Sequence, residues 1–334
     1  MSDELLIEGV KIDSFEEFEE AITKKIISSN EMKENKDKTD YIEWVKSGNN
    51  TYFPSGKVVI VDNIPPGIYE IGLDQNKGYF LQNKEVNLDE LFVLPSKEQD
   101  AIIADIRKFW VRKQNFDDYG FNYKRGILLY GAPGNGKTSI FNLLSKEIVE
   151  KYNGIIFHLK NSDELKSFSR FSSILRQIEK DTPLLLILED LEIFTEYSSD
   201  EILLLNLLDG AEQLDNIVVL ASTNYPEKLK ERILNRPSRF DRRYELKFPN
   251  EEVREFYFRK KLKPKDLESI DLKKWVDETK GLSVAHLAEV VKSVFALGNT
   301  FEETIELLNE MKIKLDSYKF DENKSSSIGF NNRR

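Results

Sequence analysis

The pattern of apolar and polar positions changes character several times along the chain. Over residues 13–28, DSFEEFEEAITKKIIS, the side chains Phe15, Phe18, Ile22 and Ile26 fall at helical intervals and predict an amphipathic helix. The following NEMKENKDKTD, residues 30–40, is polar throughout and reads as a loop. After Pro54 the texture shortens. FPSGKVVIVDNIPPGIYEIGLDQNKGYFLQ holds β-rich runs at 58–61, 68–71 and 79–82, punctuated by Pro-Pro-Gly and Asn-Lys-Gly, as in a small antiparallel domain ending near Pro95. A helix is expected over 98–112. Strands are then predicted at 127–130, 155–159, 184–188, 217–221 and 244–248, with helix-compatible stretches between the earlier ones. Such alternation implies an α/β fold with a parallel sheet, here of five strands with helices on both faces. Residues 251–316 read as helical, with an apolar-periodic segment after Gly281, and the tail 317–334, ending SSSIGFNNRR, reads as disordered. No internal repeat is visible. The expected organisation is an acidic α+β domain over 1–95, a large α/β domain over 96–250, a small helical domain over 251–316 and the tail.

Composition narrows the chemistry. The chain has 334 residues, 40% hydrophobic and 32% charged, with enough apolar side chains for a sizeable core. It has no cysteine, so disulfides and thiolate metal sites are excluded, and its two histidines, His158 and His286, argue against a His-built zinc site. No run approaches a membrane-spanning length, and the N-terminus MSDELLIEGV lacks the basic-then-apolar order of a signal peptide, so a cytoplasmic protein without a membrane role is expected. The net charge of −10 is uneven: residues 1–95 hold 19 Asp and Glu against 10 Lys and no Arg. An N-terminal third of charge −9 repels phosphate backbones and argues against a nucleic-acid partner and for a protein one.

The motif that carries most chemistry is GAPGNGKTS, residues 131–139, placed directly after the apolar run ILLY and before the helix-compatible SIFNLLSKEI. This is G-x-x-x-x-G-K-T in the strand–loop–helix context it requires. Glycines let Gly131, Ala132, Pro133, Gly134, Asn135 and Gly136 curl their backbone N–H groups toward phosphate oxygens; Lys137 reaches the outer phosphates and the Thr138 hydroxyl, followed by Ser139, ligates Mg²⁺. ATP and Mg²⁺ are the expected ligands. A second signal is LLLILEDLE, residues 184–192, five aliphatic residues that stop at two acids. In a phosphate-loop sheet a buried strand ends in an acid that holds the metal, and a following acid can polarise the attacking water. Glu189 is therefore the expected metal-side acid and Asp190 the expected base.

By this point the residues resemble the AAA+ superfamily, and within it the classical AAA clade, over about residues 98–316. IVVLASTN ends at Asn224, which the resemblance makes sensor 1, the polar residue that positions the water. NRPSRFDRR resembles the second region of homology, with Arg236 and Arg239 at its two arginine-finger positions, used in trans between subunits. GLSVAHLAEV, residues 281–290, resembles the G-x-S-G-A-D-L stretch of the helical lid, which places the adenine near Val284 and Ala285; Val284 stands where the family has glycine and His286 where it has aspartate. YGFNYKRGILLYGAPGNGKTS with LLLILED is similar to the BCS-type subfamily, the mitochondrial Rieske-protein translocases, which also write the acidic pair Glu-Asp. That subfamily begins with a transmembrane helix, and this sequence has none.

The resemblance implies an ATP hydrolase working as a homo-oligomeric ring, hexameric by family habit, that remodels or translocates a protein. Rival readings are a nucleic-acid motor or loader, an ATP-gated assembly scaffold with slow hydrolysis, and a phosphate-loop kinase, which the two arginines and the lid disfavour. KNSDELKSFSRF, residues 160–171, falls where the first pore loop of such rings lies; Phe168 there either faces a pore or packs its helix beside Phe171.

Overall fold

The computed structural model describes residues 5–7, 10–12, 43–47, 50–55, 63–74, 78–84, 94–209, 214–236 and 238–311. The chain forms two compact units, residues 1–40 and 41–334. In the first, the described part is an antiparallel hairpin of β1 (Leu5–Ile7) and β2 (Val10–Ile12). The predicted helix over 13–28, the loop at 30–40, the run at 58–61 and the tail at 317–334 lie outside the described residues.

The second unit is built on one nine-stranded sheet. Its strands are β3 (Glu43–Ser47), β4 (Thr51–Ser55), β5 (Gly67–Asp74), β6 (Gly78–Lys84), β7 (Lys124–Tyr130), β8 (Ile155–Leu159), β9 (Leu184–Leu188), β10 (Ile217–Thr223) and β11 (Arg242–Glu245). Their spatial order is β11-β7-β10-β9-β8-β5-β6-β4-β3. The five strands predicted between 127 and 248 are all present and contiguous, and every ladder among them is parallel. The last begins two residues early and ends at Glu245, because beyond it the Leu246 N–H bonds Tyr130 O and the Leu246 carbonyl accepts from Asn135.

The expected boundary near Pro95 is not where the sheet ends. Strand β5 runs parallel to β8, with Gly67 opposite Ile155 and Tyr69 opposite Phe157, and β6, β4 and β3 continue as an antiparallel meander. Residues 43–84 thus extend the α/β sheet instead of closing a separate domain. The physical reason is a shared core: Trp44, Tyr52 and Tyr69 are buried together with Phe157, Phe168 and Phe171. Trp44 also donates from Nε1 to Glu179 Oε1 at 3.2 Å, and the same carboxylate accepts from Ile64 N at 2.9 Å and Thr182 Oγ1 at 2.6 Å.

Helices cover both faces. They are α1 (Lys97–Trp110), α2 (Lys113–Asp118), α3 (Lys137–Tyr152), α4 (Ser162–Ile178), α5 (Ser198–Asp209) and the short α6 (Glu231–Leu234). Strand β9 shows why the sheet must be sandwiched. Leu184, Leu186 and Leu188 join the core beneath α4 and α5, while Leu185 and Ile187 join the core beneath α1 and α3. A strand apolar at every position needs cover on each side. A separate helical core follows, formed by α7 (Glu251–Lys261), α8 (Pro264–Glu268), α9 (Leu272–Glu278), α10 (Val284–Phe295) and a stretch over 301–311, with Phe258, Trp275 and Phe301 at its centre. Leu94, just before α1, packs into this core.

Candidate active site

The loop between β7 and α3 is shaped by its glycines: Gly131, Gly134 and Gly136 all have positive φ, of 140°, 78° and 88°. Gly136 is the N-cap of α3 and offers no side chain, so the first N–H groups of that helix keep their partners open toward the loop. An open helix N-terminus with a curled glycine loop before it attracts anions. Lys137 is only 7% exposed, and its ammonium donates to the carbonyls of Gly131 at 2.7 Å and Ala132 at 3.1 Å. Burial lowers its pKa, and Asp190, Glu192 and Glu189 oppose that shift. One buried cation among three carboxylates leaves a local excess of negative charge, which a divalent cation bound together with an anion would offset.

The two acids end β9 next door. Glu189 Oε2 lies 3.6 Å from Nε2 of His158 on the neighbouring strand, while Glu189 Oε1 is buried with no hydrogen bond to any described residue. Its carboxyl is held below the usual range, chiefly by His158, with burial acting the other way and Thr138 adding to the lowering. Asp190 adopts the left-handed conformation, φ 51°, which turns its side chain out of the strand direction. It accepts from Asn224 Nδ2 at 3.0 Å, joining the ends of β9 and β10. Burial raises its pKa, and Glu192 and Glu189 add to the rise against Lys137. Two adjacent acids thus have environments that push their protonation in opposite directions. Glu192, which the sequence reading did not single out, accepts from the Thr223 hydroxyl at 2.7 Å and adds a third negative charge.

These groups open into a cavity of about 480 Å³, lined by Pro133, Gly134, Gly136, Lys137, Thr138, Glu189, Asp190 and Asn224 together with Leu94, Leu143, Tyr257, Val284, Ala285 and Ala288. Helix α10 reaches the loop directly: Ala285 N donates to Gly134 O at 3.0 Å. A Cβ on Gly134 would meet Ser283 Oγ at 2.7 Å and Ala285 Cβ at 2.8 Å, so glycine is required for the helix to dock. His286, the departure from the resembled motif, closes a capping box with Ser283, its Nδ1 lying 2.7 Å from Ser283 Oγ. Sequence reasoning did not single out Leu94, Gln99, Leu143, Tyr257, Ala288 and His158: Leu143 and Ala288 lie on helices that already reach the site, and the other four come from further segments that carry no local motif.

Arg236 and Arg239 lie away from this cavity, where both meet Asp209 at the end of α5. Arg236 is 64% exposed, with Nη1 2.9 Å from Asp209 Oδ2. Arg239 is 7% exposed; its Nε lies 2.9 Å from the same oxygen and its Nη1 donates to the Arg232 carbonyl. Neither pairs with Asp241, which faces Arg125 instead. Phe168 is fully buried in α4, edge-on to Phe157 with ring centroids 5.2 Å apart, so the helix-packing alternative holds and the pore-facing one does not. Among the described residues no helix is long and apolar enough to cross a membrane.

Residues 127–248 match the sequence model of the ATPase family associated with various cellular activities (AAA). Among curated proteins, the chain is 24% identical over 249 residues to ATP-dependent zinc metalloprotease FtsH 2 of Salinibacter ruber, covering 69% of this chain and 35% of that protein. It is 27% identical over 231 residues to Protein SAV of Sulfolobus acidocaldarius, covering 61% and 29%. It is 28% identical over 229 residues to ATP-dependent zinc metalloprotease FtsH of Acidobacterium capsulatum, covering 63% and 35%. The chain therefore spans about a third of the length of these relatives. Its two histidines, at 158 and 286, form no H-E-x-x-H pair. The loop, the acids after β9 and the polar end of β10 all lie within residues 127–248, the stretch that matches an AAA ATPase domain.

Proposed function

We propose that the chain is a Mg²⁺-dependent ATP hydrolase that works as a homo-oligomeric ring, hexameric by family habit, and remodels or moves a protein substrate. The observation that carries this reading is the convergence of Lys137, Glu189, Asp190 and Asn224 on one cavity of about 480 Å³ that is also lined by the apolar Leu94, Leu143, Val284 and Ala288. Triphosphate entering the loop takes over the ammonium that Gly131 and Ala132 now hold, and the open N-terminus of α3 receives the same charge. Asp190 accepts the proton of the attacking water and Asn224 holds that carboxylate in place. Thr138 and Glu189 suit Mg²⁺: both offer hard oxygen donors, and the buried Glu189 Oε1 has no hydrogen-bond partner among the described residues. When bound, the ion neutralises phosphate charge.

Arg236 and Arg239 pair with Asp209 and do not line their own cavity, which favours their use on a neighbour's nucleotide. Asp209 holds both until a subunit docks. The Glu-Asp order and the loop sequence favour likeness to the BCS-type translocases. Measuring turnover against protein concentration tests the ring: activity per subunit should rise with concentration, and a mixture of Arg236→Ala and Asp190→Asn proteins should regain rate. Full activity from monomeric protein would refute the shared site.

A further inference from the structure

Gln99, in the first turn of α1, is 6% exposed and borders the cavity at its junction with the phosphate loop. It belongs to no motif, and nothing in the ATPase reading uses it. A buried amide normally satisfies both ends. Gln99 satisfies one: its Oε1 accepts from Leu94 N at 3.2 Å. That bond also settles which way the amide faces, because a backbone N–H can donate only to the oxygen. The NH₂ end is therefore directed away from Leu94 and toward the loop, 3.7 Å from where a Cβ on Gly136 would stand. No other residue accepts from it among those described. The cavity wall beside it changes from the phosphate-binding backbone at Gly134 and Gly136 to the apolar surface of Leu94, Tyr257 and Val284. Leu94, itself a lining residue, has its own N–H already consumed by Gln99.

We propose that Gln99 is a nucleotide-contacting residue: its amide N–H donates to an acceptor atom on the nucleoside half of the ligand, a ribose oxygen or a base ring nitrogen. The donor it takes from Leu94 it replaces with its own, moved toward the cavity. This rests on the reading of the cavity as a nucleotide site. It gives the apolar lining of the cavity one polar contact, the arrangement by which small-molecule sites fix ligand orientation.

Two substitutions separate the contact from a packing role. Gln99→Glu retains an oxygen for Leu94 N and the shape of α1 but has no donor. Gln99→Leu removes both. Affinities of the full chain for Mg·ATP and for inorganic triphosphate with Mg²⁺ are measured by calorimetry, alongside melting temperatures. The expected result is a three- to tenfold loss of ATP affinity in both variants, the size of one neutral hydrogen bond, with triphosphate binding to Gln99→Leu within twofold of wild type. 2′-Deoxy-ATP then narrows the acceptor: the Gln99→Leu penalty vanishes with it if the acceptor is the ribose 2′-oxygen and persists if it is another ribose oxygen or the base. ATP binding by Gln99→Glu at wild-type strength would overturn the proposal, since the Leu94 bond alone would then account for the residue. An equal loss for ATP and triphosphate in Gln99→Leu would overturn it as well, placing the effect on loop shape. If wild type binds triphosphate but gains nothing from the nucleoside, Gln99's role fails while the phosphate loop stands; if wild type binds neither ligand, the nucleotide reading fails with it.

Discussion

Replacing Asp190 by Asn isolates the step assigned to that carboxylate. The exchange is conservative in every other respect. Asp190 sits at φ 51°, and Asn is among the residues that tolerate the left-handed region best, so the backbone has no reason to move. An amide oxygen at the same place still accepts from Asn224 Nδ2, now 3.0 Å away. What disappears is the ability to take a proton from water. A positioned general base contributes about 10²–10⁴-fold, or about 3–5 kcal/mol at 1.36 kcal/mol per tenfold. Turnover should fall by that factor while ATP binding persists. The ligand-free protein should melt at the same temperature or slightly higher, because Asp190 is one of three neighbouring acids and its charged form is disfavoured by burial and by Glu192 and Glu189. Phosphate release gives the rate, calorimetry the affinity, and scanning calorimetry the stability. Turnover within threefold of wild type would refute the assignment. So would loss of Mg·ATP binding, which would move Asp190 to the metal side.

Glu189→Gln should fail differently, weakening Mg²⁺-dependent ATP binding as well as rate, and the comparison of affinities with and without Mg²⁺ checks it. Arg236→Ala and Arg239→Ala should both lower hydrolysis by orders of magnitude in assembled protein, yet only Arg239→Ala should also lower the melting temperature, since Arg239 is the buried one and leaves Asp209 and the Arg232 carbonyl without its guanidinium. Glu179→Ala should destabilise by about 3 kcal/mol, as buried donors at Trp44, Ile64 and Thr182 lose their acceptor at roughly 1 kcal/mol or more each; denaturant unfolding followed by tryptophan fluorescence reads it. Glu147 is buried, which raises its pKa, but Arg107 at 2.7 Å and Lys151 at 3.0 Å outweigh that and hold it below the usual value. A depressed carboxyl stabilises above its unfolded value of 4.5 and loses that contribution as pH falls. The melting-temperature gap between wild type and Glu147→Gln should therefore be widest near neutrality and close in acid.

What the sequence reveals is what short-range chemistry dictates. Leu184–Leu188, apolar at every position, had to be a strand covered on both sides, and three glycines at fixed offsets had to form a turn that ordinary residues avoid. What it hides are relations between distant segments. Glu179 reads as one more charged residue near a helix end, yet it accepts from Trp44, 135 positions away, and so fastens β3 to the central sheet. Strands β3 and β4 escaped notice because EWVKSGNNTYFPS mixes polar and apolar residues without clean alternation and contains Pro54. That proline is tolerated because β4 pairs with β6 only at Thr51 and Tyr52, leaving position 54 free of that ladder. Asp209, which gathers both arginines, sits 27 and 30 residues before them and gives no local sign of the pairing. Phe168 shows the opposite case: with Leu165, Phe171, Leu175 and Ile178 it forms a helical stripe, and that periodicity outweighed the positional analogy to a pore loop.

The central claim is that this cavity hydrolyses ATP, and the most direct measurement is phosphate release from Mg·ATP by wild type and Lys137→Ala side by side, with ATP affinity measured on the same samples. Lys137 is the one cation held within the loop itself, 2.7 Å from Gly131 O, and its removal leaves triphosphate charge uncompensated in a largely buried site. The account predicts Mg²⁺-dependent turnover in wild type and its loss, with or without residual binding, in Lys137→Ala. Undiminished binding and turnover in that variant would contradict it.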